Sequence, residues 1–397
     1  MDTQFATGIA DDADGRTAGE RAASEASSGV AADRVDFCQV FCTSGYDYET
    51  VLSGIRDVVG DGAALIGCSS AGEFTQTDFT DPGVAVALVT SDSMSFHTGL
   101  GTGLSENVAG AVAGAQSSLP REFDGYDAVS AIVFHDGLSG VGERLTLVAR
   151  RKLGPHVALA GGAASDGGDV GETTVFCGEE VATDAVGIAL IGSHERPVIS
   201  IEHGHTPESD PMEVTAADGN VVYELDGRPA QEAWRDAVSG TVLDTFGVDQ
   251  ETFEADPGIR EWILGDTGFG IDQGDEYKTR WPRRGDEGAF VFATEIPEGT
   301  VLRVMCGQPD EQIDAARTAA SRAVERAEGR EMAGAFVYDC ACRRTILGDR
   351  FGEAVAAIDE TLGIPFAGFA TFGEVAMEMG QTSGFHNTTT VVMCIPR

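Results

Sequence analysis

Along the chain, apolar and polar positions repeat one unit three times. An apolar run, Phe37 to Phe41, reads as a buried strand; Val51, Leu52, Ile55, Val58 and Val59 follow at the spacing of one helical face, and then a second run, Ala63 to Ile66. The order returns with Ala131 to Phe134, then Val141, Leu145 and Val148, then Val157 to Leu159. It returns again with Ala335 to Tyr338, then Phe351, Val355, Ile358 and Leu362, then Ile364 to Ala367. Two of these units close on the same loop: Gly67-Cys68-Ser69-Ser70-Ala71-Gly72-Glu73 and Gly368-Phe369-Ala370-Thr371-Phe372-Gly373-Glu374 both read Gly, four small or apolar residues, Gly, Glu. The middle copy, Ala160-Gly161-Gly162-Ala163-Ala164-Ser165-Asp166, keeps the glycines and lacks the Gly-Glu pair. Helices recurring between apolar strands predict an α/β fold, two domains of mixed sheets with helices on their faces.

The remaining segments fill in this frame. Residues 1 to 34 carry few large apolar side chains and are expected to form a disordered acidic tail. Val84 to Val89 reads as a strand, and Gly99-Leu100-Gly101-Thr102-Gly103 as a turn into a helix capped by Ser105. Thr174 to Cys177 and Ala185 to Ile191 are expected to extend the second unit's sheet, and Val198 to Ile201 to run into a solvated strand end at His203-Gly204-His205. Turn residues at Asp218-Gly219-Asn220 and Asp226-Gly227-Arg228-Pro229 suggest a boundary, which places the domains at 35–215 and 216–397. Beyond it come a helix from Ala230 to Phe246, a long surface excursion from Gly265 to Gly285, a hairpin of Ala289 to Ala293 with Val301 to Met305, a helix from Pro309, and a last strand, Thr388 to Ile395.

Charge changes the picture of the surroundings. Sixty-five acidic residues against 26 basic ones give a formal net charge of -39, and Lys152 and Lys278 are the only lysines. Repulsion on this scale opposes a compact state unless salt screens it, so the composition points to a salt-in cytoplasm of the haloarchaeal kind. Such a surface excludes nucleic acid and anionic membrane as partners. No run reaches the roughly 18 apolar residues of a membrane span and no apolar segment follows a basic N-terminus, so a cytoplasmic protein is expected. The cysteines lie in or beside apolar runs, as buried free thiols do.

Candidate chemistry centres on the loops. A short loop of small residues leaving a buried strand lets a ligand approach the backbone. Glu73 or Glu374 would then take an ammonium group, Arg343 would balance Glu374 and offer its guanidinium to a ligand carboxylate, and His386 and Asn387 would add neutral contacts. Alternatively, each glutamate caps its following segment or pairs with Arg343. A hydrolase would use Cys68 or Ser69 as nucleophile and needs a histidine within hydrogen-bond reach. Cys340 with Cys342 lacks the second pair that a metal site requires.

Together these motifs resemble the FIST family, sensory domains named for F-box and intracellular signal transduction proteins. Ile66 to Glu73, Phe134-His135-Asp136-Gly137-Leu138, Gly162 to Gly167 and Val175-Phe176-Cys177-Gly178 are similar to its N-terminal domain. Ile296-Pro297-Glu298-Gly299, Asp339-Cys340 with Arg343, Leu347-Gly348, Pro365 to Phe369, Phe372-Gly373-Glu374 and His386-Asn387-Thr388-Thr389 are similar to its C-terminal domain. The resemblance implies a non-enzymatic module that senses small molecules such as amino acids, needs no cofactor and, with no output domain in this chain, signals through a separate histidine kinase or chemoreceptor. Its ligand contacts would be Ser69, Gly72, Glu73, Arg343, Gly373, Glu374, His386 and Asn387.

Overall fold

A computed structural model describes residues 3–30, 34–167, 171–274 and 276–397. The unit read from the sequence is the middle of a larger one. The first repeat runs β1 (Gln4–Ala10), α1 (Gly15–Ser28), β2 (Phe37–Thr43), α2 (Tyr48–Val59), β3 (Ala64–Ser70), a hairpin of β4 (Glu73–Thr75) and β5 (Phe79–Thr80), and β6 (Val84–Thr90). The second runs β7 (Met94–Thr102), α3 (Val108–Gln116), β8 (Ala128–His135), α4 (Gly142–Leu153), β9 (Ala158–Ala163), a hairpin of β10 (Val175–Cys177) and β11 (Glu180–Ala182), and β12 (Ala185–Ser193).

The third repeat opens with β13 (Val198–His203) and is then interrupted. The insert holds β14 (Thr206–Pro207), β15 (Met212–Asp218), β16 (Val221–Leu225), β17 (Arg228–Pro229), α5 (Ala230–Ala237), α6 (Thr241–Phe246), α7 (Gln250–Ala255) and α8 (Pro257–Asp266). Next come β18 (Thr267–Asp272), β19 (Tyr277–Arg280), β20 (Arg283–Arg284), β21 (Phe290–Val291) and β22 (Val301–Cys306), all in one nine-stranded sheet with the insert's earlier strands. The repeat resumes with α9 (Pro309–Ala327), β23 (Met332–Cys340), α10 (Ala341–Leu347), α11 (Phe351–Leu362), β24 (Phe366–Thr371), a hairpin of β25 (Glu374–Met377) and β26 (Phe385–His386), and β27 (Thr389–Pro396).

Each repeat builds a six-stranded sheet around one parallel pair: β2 with β3, β8 with β9, β23 with β24. The hairpins do not stay at home. The sheets run β1-β6-β2-β3-β10-β11, β7-β12-β8-β9-β25-β26 and β13-β27-β23-β24-β4-β5, so the hairpin after each glycine loop completes another repeat's sheet, and the exchange closes a cycle of three. The registers align the repeats residue by residue. Gly67, Gly161 and Gly368 stand opposite Val40, Val133 and Val337, and a Cβ on any of them would run into the valine's carbonyl, which is why the frame opens on glycine. One position further, Phe41, Phe134 and Tyr338 meet as a ring of three edge-on aromatics with centroids 5.6, 5.8 and 6.4 Å apart. Aromatic packing fills the middle of the body, and any open site must lie at its ends.

Several expectations are corrected. The expected tail instead forms β1, paired along its length with β6, and α1, whose Ala18, Ala22, Ala23 and Ala26 are fully buried against α2; residues 1–2 and 31–33 lie outside the described residues. Small residues suggest a lack of core, but here they let α1, α2 and β1 approach closely. For the same reason, Gly99 and Gly101 belong to β7 and seat α3 on it, and that helix is capped by Asn107. Thr174 to Cys177 left its own sheet for that of β3. The supposed surface excursion supplies β18, β19 and β20 and buries Phe269, Lys278 and Arg280; residue 275 lies outside the described residues. Ala289 to Ala293 pairs through β21 with β16 and β20, so no hairpin with β22 forms. The boundary expected at 215/216 falls within β15.

Candidate functional site

All three glycine loops leave the carboxyl ends of the parallel strands and meet there. The amides of Ala71, Ser165 and Phe372 donate to the carbonyls of Ala370, Ser69 and Ala163 at 3.2, 3.0 and 3.3 Å. In the reverse sense, Ala370, Ser69 and Ala163 donate to Gly72, Thr174 and Gly373 at 2.8, 2.8 and 2.7 Å. The loops form a closed collar, so the backbone groups expected to face a ligand are spent on one another.

Both loop glutamates are fully buried. Glu73 accepts from Thr43 Oγ1 at 2.8 and 3.0 Å and from the Ser70 hydroxyl, and burial pushes its carboxyl up to about 8. Glu374 Oε2 accepts from Thr389 N at 3.1 Å and Thr389 Oγ1 at 2.6 Å, while Oε1 has no partner among the described residues; burial holds this carboxyl well above the ordinary range. Arg343 does not balance Glu374. It is fully buried, donates through Nε to Asp339 at 2.9 Å, and spends Nη1 and Nη2 on the Oε1 and carbonyl of Gln312 at 2.6 and 2.9 Å. Its spacing four residues after Asp339, across the strand-to-helix turn, was the signal for that pair.

Ser69 Oγ accepts from Thr174 N at 3.0 Å and Cys68 is buried with its thiol pushed well above its usual range; among the described residues neither bonds to a histidine. His203 and His205 are not a solvated strand end: His203 Nε2 donates to Tyr277 O at 2.9 Å, and buried His205 sits against Gln312. Among the described residues, no group of three or more His, Cys, Asp or Glu is placed to hold a metal.

Open space begins beside the collar, where the insert leans on it. A cavity of about 220 Å³ is walled by Gly137 and Leu138 after β8, Ala341, Cys342 and Thr345 of α10, Phe372 of the third loop, Asn387 before β27, and Trp281, Arg283 and Ala293 of the insert. Asn387 is the one expected contact that lines it. Its Nδ2 donates to Phe372 O at 3.1 Å, and its buried Oδ1 has no partner among the described residues. Thr388, next in the chain, is buried with an unpartnered hydroxyl and a φ of 58°, a left-handed conformation that a β-branched residue rarely adopts. Arg283 has no ion pair among the described residues. Sequence reasoning missed it, because the insert's fold over the collar has no local pattern. A larger cavity of about 840 Å³ lies at the amino ends of β8 and β9, beside Ala128 and Val157, away from the strand ends where ligands gather in α/β sheets.

Fold and cavity define an α/β protein with its candidate site at the strand carboxyl ends, under an inserted sheet. The chain carries both domains of the FIST family: a FIST N domain over residues 36–228 and a FIST C domain over 246–377. FIST domains are sensory, ligand-binding domains of signal transduction. An uncharacterised protein of Mycobacterium tuberculosis is 32% identical over 238 residues, 58% of each chain, and one of Mycobacterium bovis is 33% identical over 247 residues, again 58% of each. One of Methanocaldococcus jannaschii is 24% identical over 304 residues, 73% of this chain and 56% of its own. The match thus spans little more than half the length of these relatives. They are mycobacterial and methanogen proteins, so the haloarchaeal affiliation expected from the charge finds no support among them. A crystal structure of cyanuric acid hydrolase from A. caulinodans aligns over 99% of both chains at 10% identity with a TM-score of 0.30, too low for any argument. No helix among the described residues is long and apolar enough to cross a membrane.

Proposed function

We propose that this chain is a sensor whose ligand, an amino acid or a close relative, occupies the cavity between collar and insert. The observation that carries the reading is that one small space is lined both by an exposed arginine without an ion pair and by a buried amide oxygen without a donor. Among the described residues Arg283 has no carboxylate partner, in a chain of 65 acidic residues, and Asn387 Oδ1 is buried without a donor. The guanidinium would take the ligand's carboxylate and the amide oxygen its ammonium, with Trp281, Leu138 and Phe372 around a small side chain. At about 220 Å³ the space is below the range of roughly 300–1,000 Å³ that drug-sized ligands fill, so a small metabolite fits best. Loops of the repeats and strands of the insert share this wall, so occupancy would change how tightly the insert sits, which a separate signalling partner could read.

The test is a thermal-shift screen of amino acids in molar KCl, with Arg283→Ala alongside. Of the eight cysteines Cys342 alone is not buried; burial and Cys340 hold its thiol well above the usual range, so a thiol reagent applied at alkaline pH reports on the cavity. A stabilising amino acid should slow Cys342 labelling and lose its effect in Arg283→Ala. A stabilising amino acid that leaves Cys342 labelling unchanged, or acts equally on Arg283→Ala, would place the ligand elsewhere.

A further inference from the structure

A second cavity, of about 530 Å³, shares no lining residue with the first and opens on the other side of β19, between the insert, β13 and the segment before β26. Its wall includes Lys278, one of two lysines in the chain. The residue is only 6% exposed, and its Nζ donates to Glu143 Oε2 at 2.8 Å. The same carboxylate takes Arg280 Nη2 at 3.2 Å, Ser383 Oγ at 2.9 Å and Gly384 N at 3.1 Å. Two buried cations therefore share one half-buried carboxylate, whose Oε2 already accepts from Lys278, Arg280 and Ser383. An ammonium has three donors and this one uses a single donor among the described residues; Arg280 Nε, buried just outside the lining, has no acceptor among them. Burying charge with donors left over is costly, and an acidic chain had carboxylates in plenty to place there.

We infer that this cavity is a binding site for a small oxyanion, a mono- or dicarboxylate in the first instance, whose oxygens complete the donors of Lys278. The other charged groups agree with a small guest. Glu202 on the wall is neutralised by Arg322 at 2.6 Å, and Glu276 is exposed at the rim, where solvent screens it and where it repels a bulky polyanion. The histidines on this wall are held neutral, because burial lowers the ionisation of His203, His205 and His386; His203 is spent on Tyr277 O and on the amide of His205, and His386 donates to Ala376 O at 3.2 Å. Burial and the neighbouring Arg280 pull the Lys278 ammonium down to about 8, the direction in which an added anion would be welcomed. His386, expected to touch a ligand, lines this cavity and not the first.

The experiment replaces chloride with other anions at constant ionic strength. Full-length protein in molar KCl is titrated with potassium acetate, malonate, phosphate or sulfate exchanged for KCl, and two quantities are read. The first is the melting temperature of the parent and of Lys278→Met, a variant that leaves Glu143 paired with Arg280. The second, on the parent alone, is the rate of amine acetylation at Lys278 with Lys152 as internal reference. A bound carboxylate gives a saturable rise in melting temperature that Lys278→Met lacks, and at ten times its dissociation constant it slows Lys278 acetylation about tenfold while sparing Lys152. Phosphate or sulfate acting more strongly than the carboxylates would move the site to tetrahedral oxyanions and overturn the carboxylate assignment. Stabilisation that never saturates, as excluded salts give, with no selective protection of Lys278, would overturn the site altogether.

Discussion

Replacing Glu73 by Gln should remove a pH dependence that the fold carries. Glu73 ionises near 4.5 when exposed, but in the fold burial raises this to about 8, against the opposing pull of its bonds to Ser70 and Thr43. Between those values the folded state holds a proton that the unfolded state has released. Stability from this group is complete below pH 4.5 and is lost as pH rises through 8. At ~1.4 kcal/mol per pH unit, the loss from pH 5 to pH 8 is about 4 kcal/mol, a large part of an ordinary domain's stability. A glutamine keeps the shape of the protonated acid and can bond the same two hydroxyls without this cost.

The assay is urea unfolding of parent and Glu73→Gln at half-unit steps from pH 5 to 8 in fixed KCl. The difference between the two cancels the contribution of His135, His203, His205 and His386, whose ionisation is lowered by burial and which act in the opposite sense below about pH 6.5 in both proteins. Glu73→Gln should match the parent near pH 5 and exceed it progressively toward pH 8. Parallel curves would mean that Glu73 is ionised in the fold, and the reasoning from burial would be wrong. Glu374→Gln should behave alike, because its carboxyl is raised by the same cause.

Arg343→Met should cost about 3–5 kcal/mol in urea unfolding, because it strands the Asp339 carboxylate without its 2.9 Å partner in a fully buried position; a change below about 1 kcal/mol would contradict the pairing. Gly101→Ala should lower the melting temperature by several degrees, since its Cβ meets the Ala111 carbonyl of α3, whereas Gly103→Ala meets nothing within 4 Å and should cost only what its positive φ demands. Dialysis into dilute buffer should abolish cooperative unfolding, with recovery in molar KCl where the Debye length is roughly 3 Å, because a net charge of -39 then goes unscreened. A melting temperature independent of salt would refute that.

Local pattern carried most of the fold. Apolar runs and helical spacing located β2, α2, β3, β8, α4, β9, β23, α11 and β24, because each depends on residues a few positions apart. What failed was non-local or depended on small side chains. The exchange of hairpins is invisible in any window, since β4 looks the same whether it returns to β3 or crosses to β24. The alanines of α1 and the glycines of β7 read as weak because their worth lies in what they allow to come close. The proposed site was half legible for the same reason: glycine loops at strand ends pointed to the end of the body where the proposed cavity lies, with Asn387 in its wall. Of the charged residues expected there, Glu73 and Arg343 are satisfied by the fold, and Glu374 is held by Thr389 through Oε2 alone. Arg283 and Lys278, left with spare capacity, come from the insert, the stretch with the least pattern.

The position of the insert ties the parts together. It interrupts the third repeat between β13 and α9 yet supplies walls to both cavities, and it is pinned to the repeats by Lys278 and Arg280 on Glu143, by Arg280 Nη1 on Phe385 O at 3.1 Å, and by Thr279 on the carbonyl of Asn387. The FIST N and FIST C domains are therefore not two beads. Sheet β13-β27-β23-β24 is completed by β4 from the N-terminal part, and sheet β7-β12-β8-β9 by β25 from the C-terminal part. Strands that belong to both halves thus border the two cavities. That coupling suits a sensor in the general sense, because a ligand shifts a conformational equilibrium only by the difference in its affinity for the two states, and a roof bonded to both halves can differ between them.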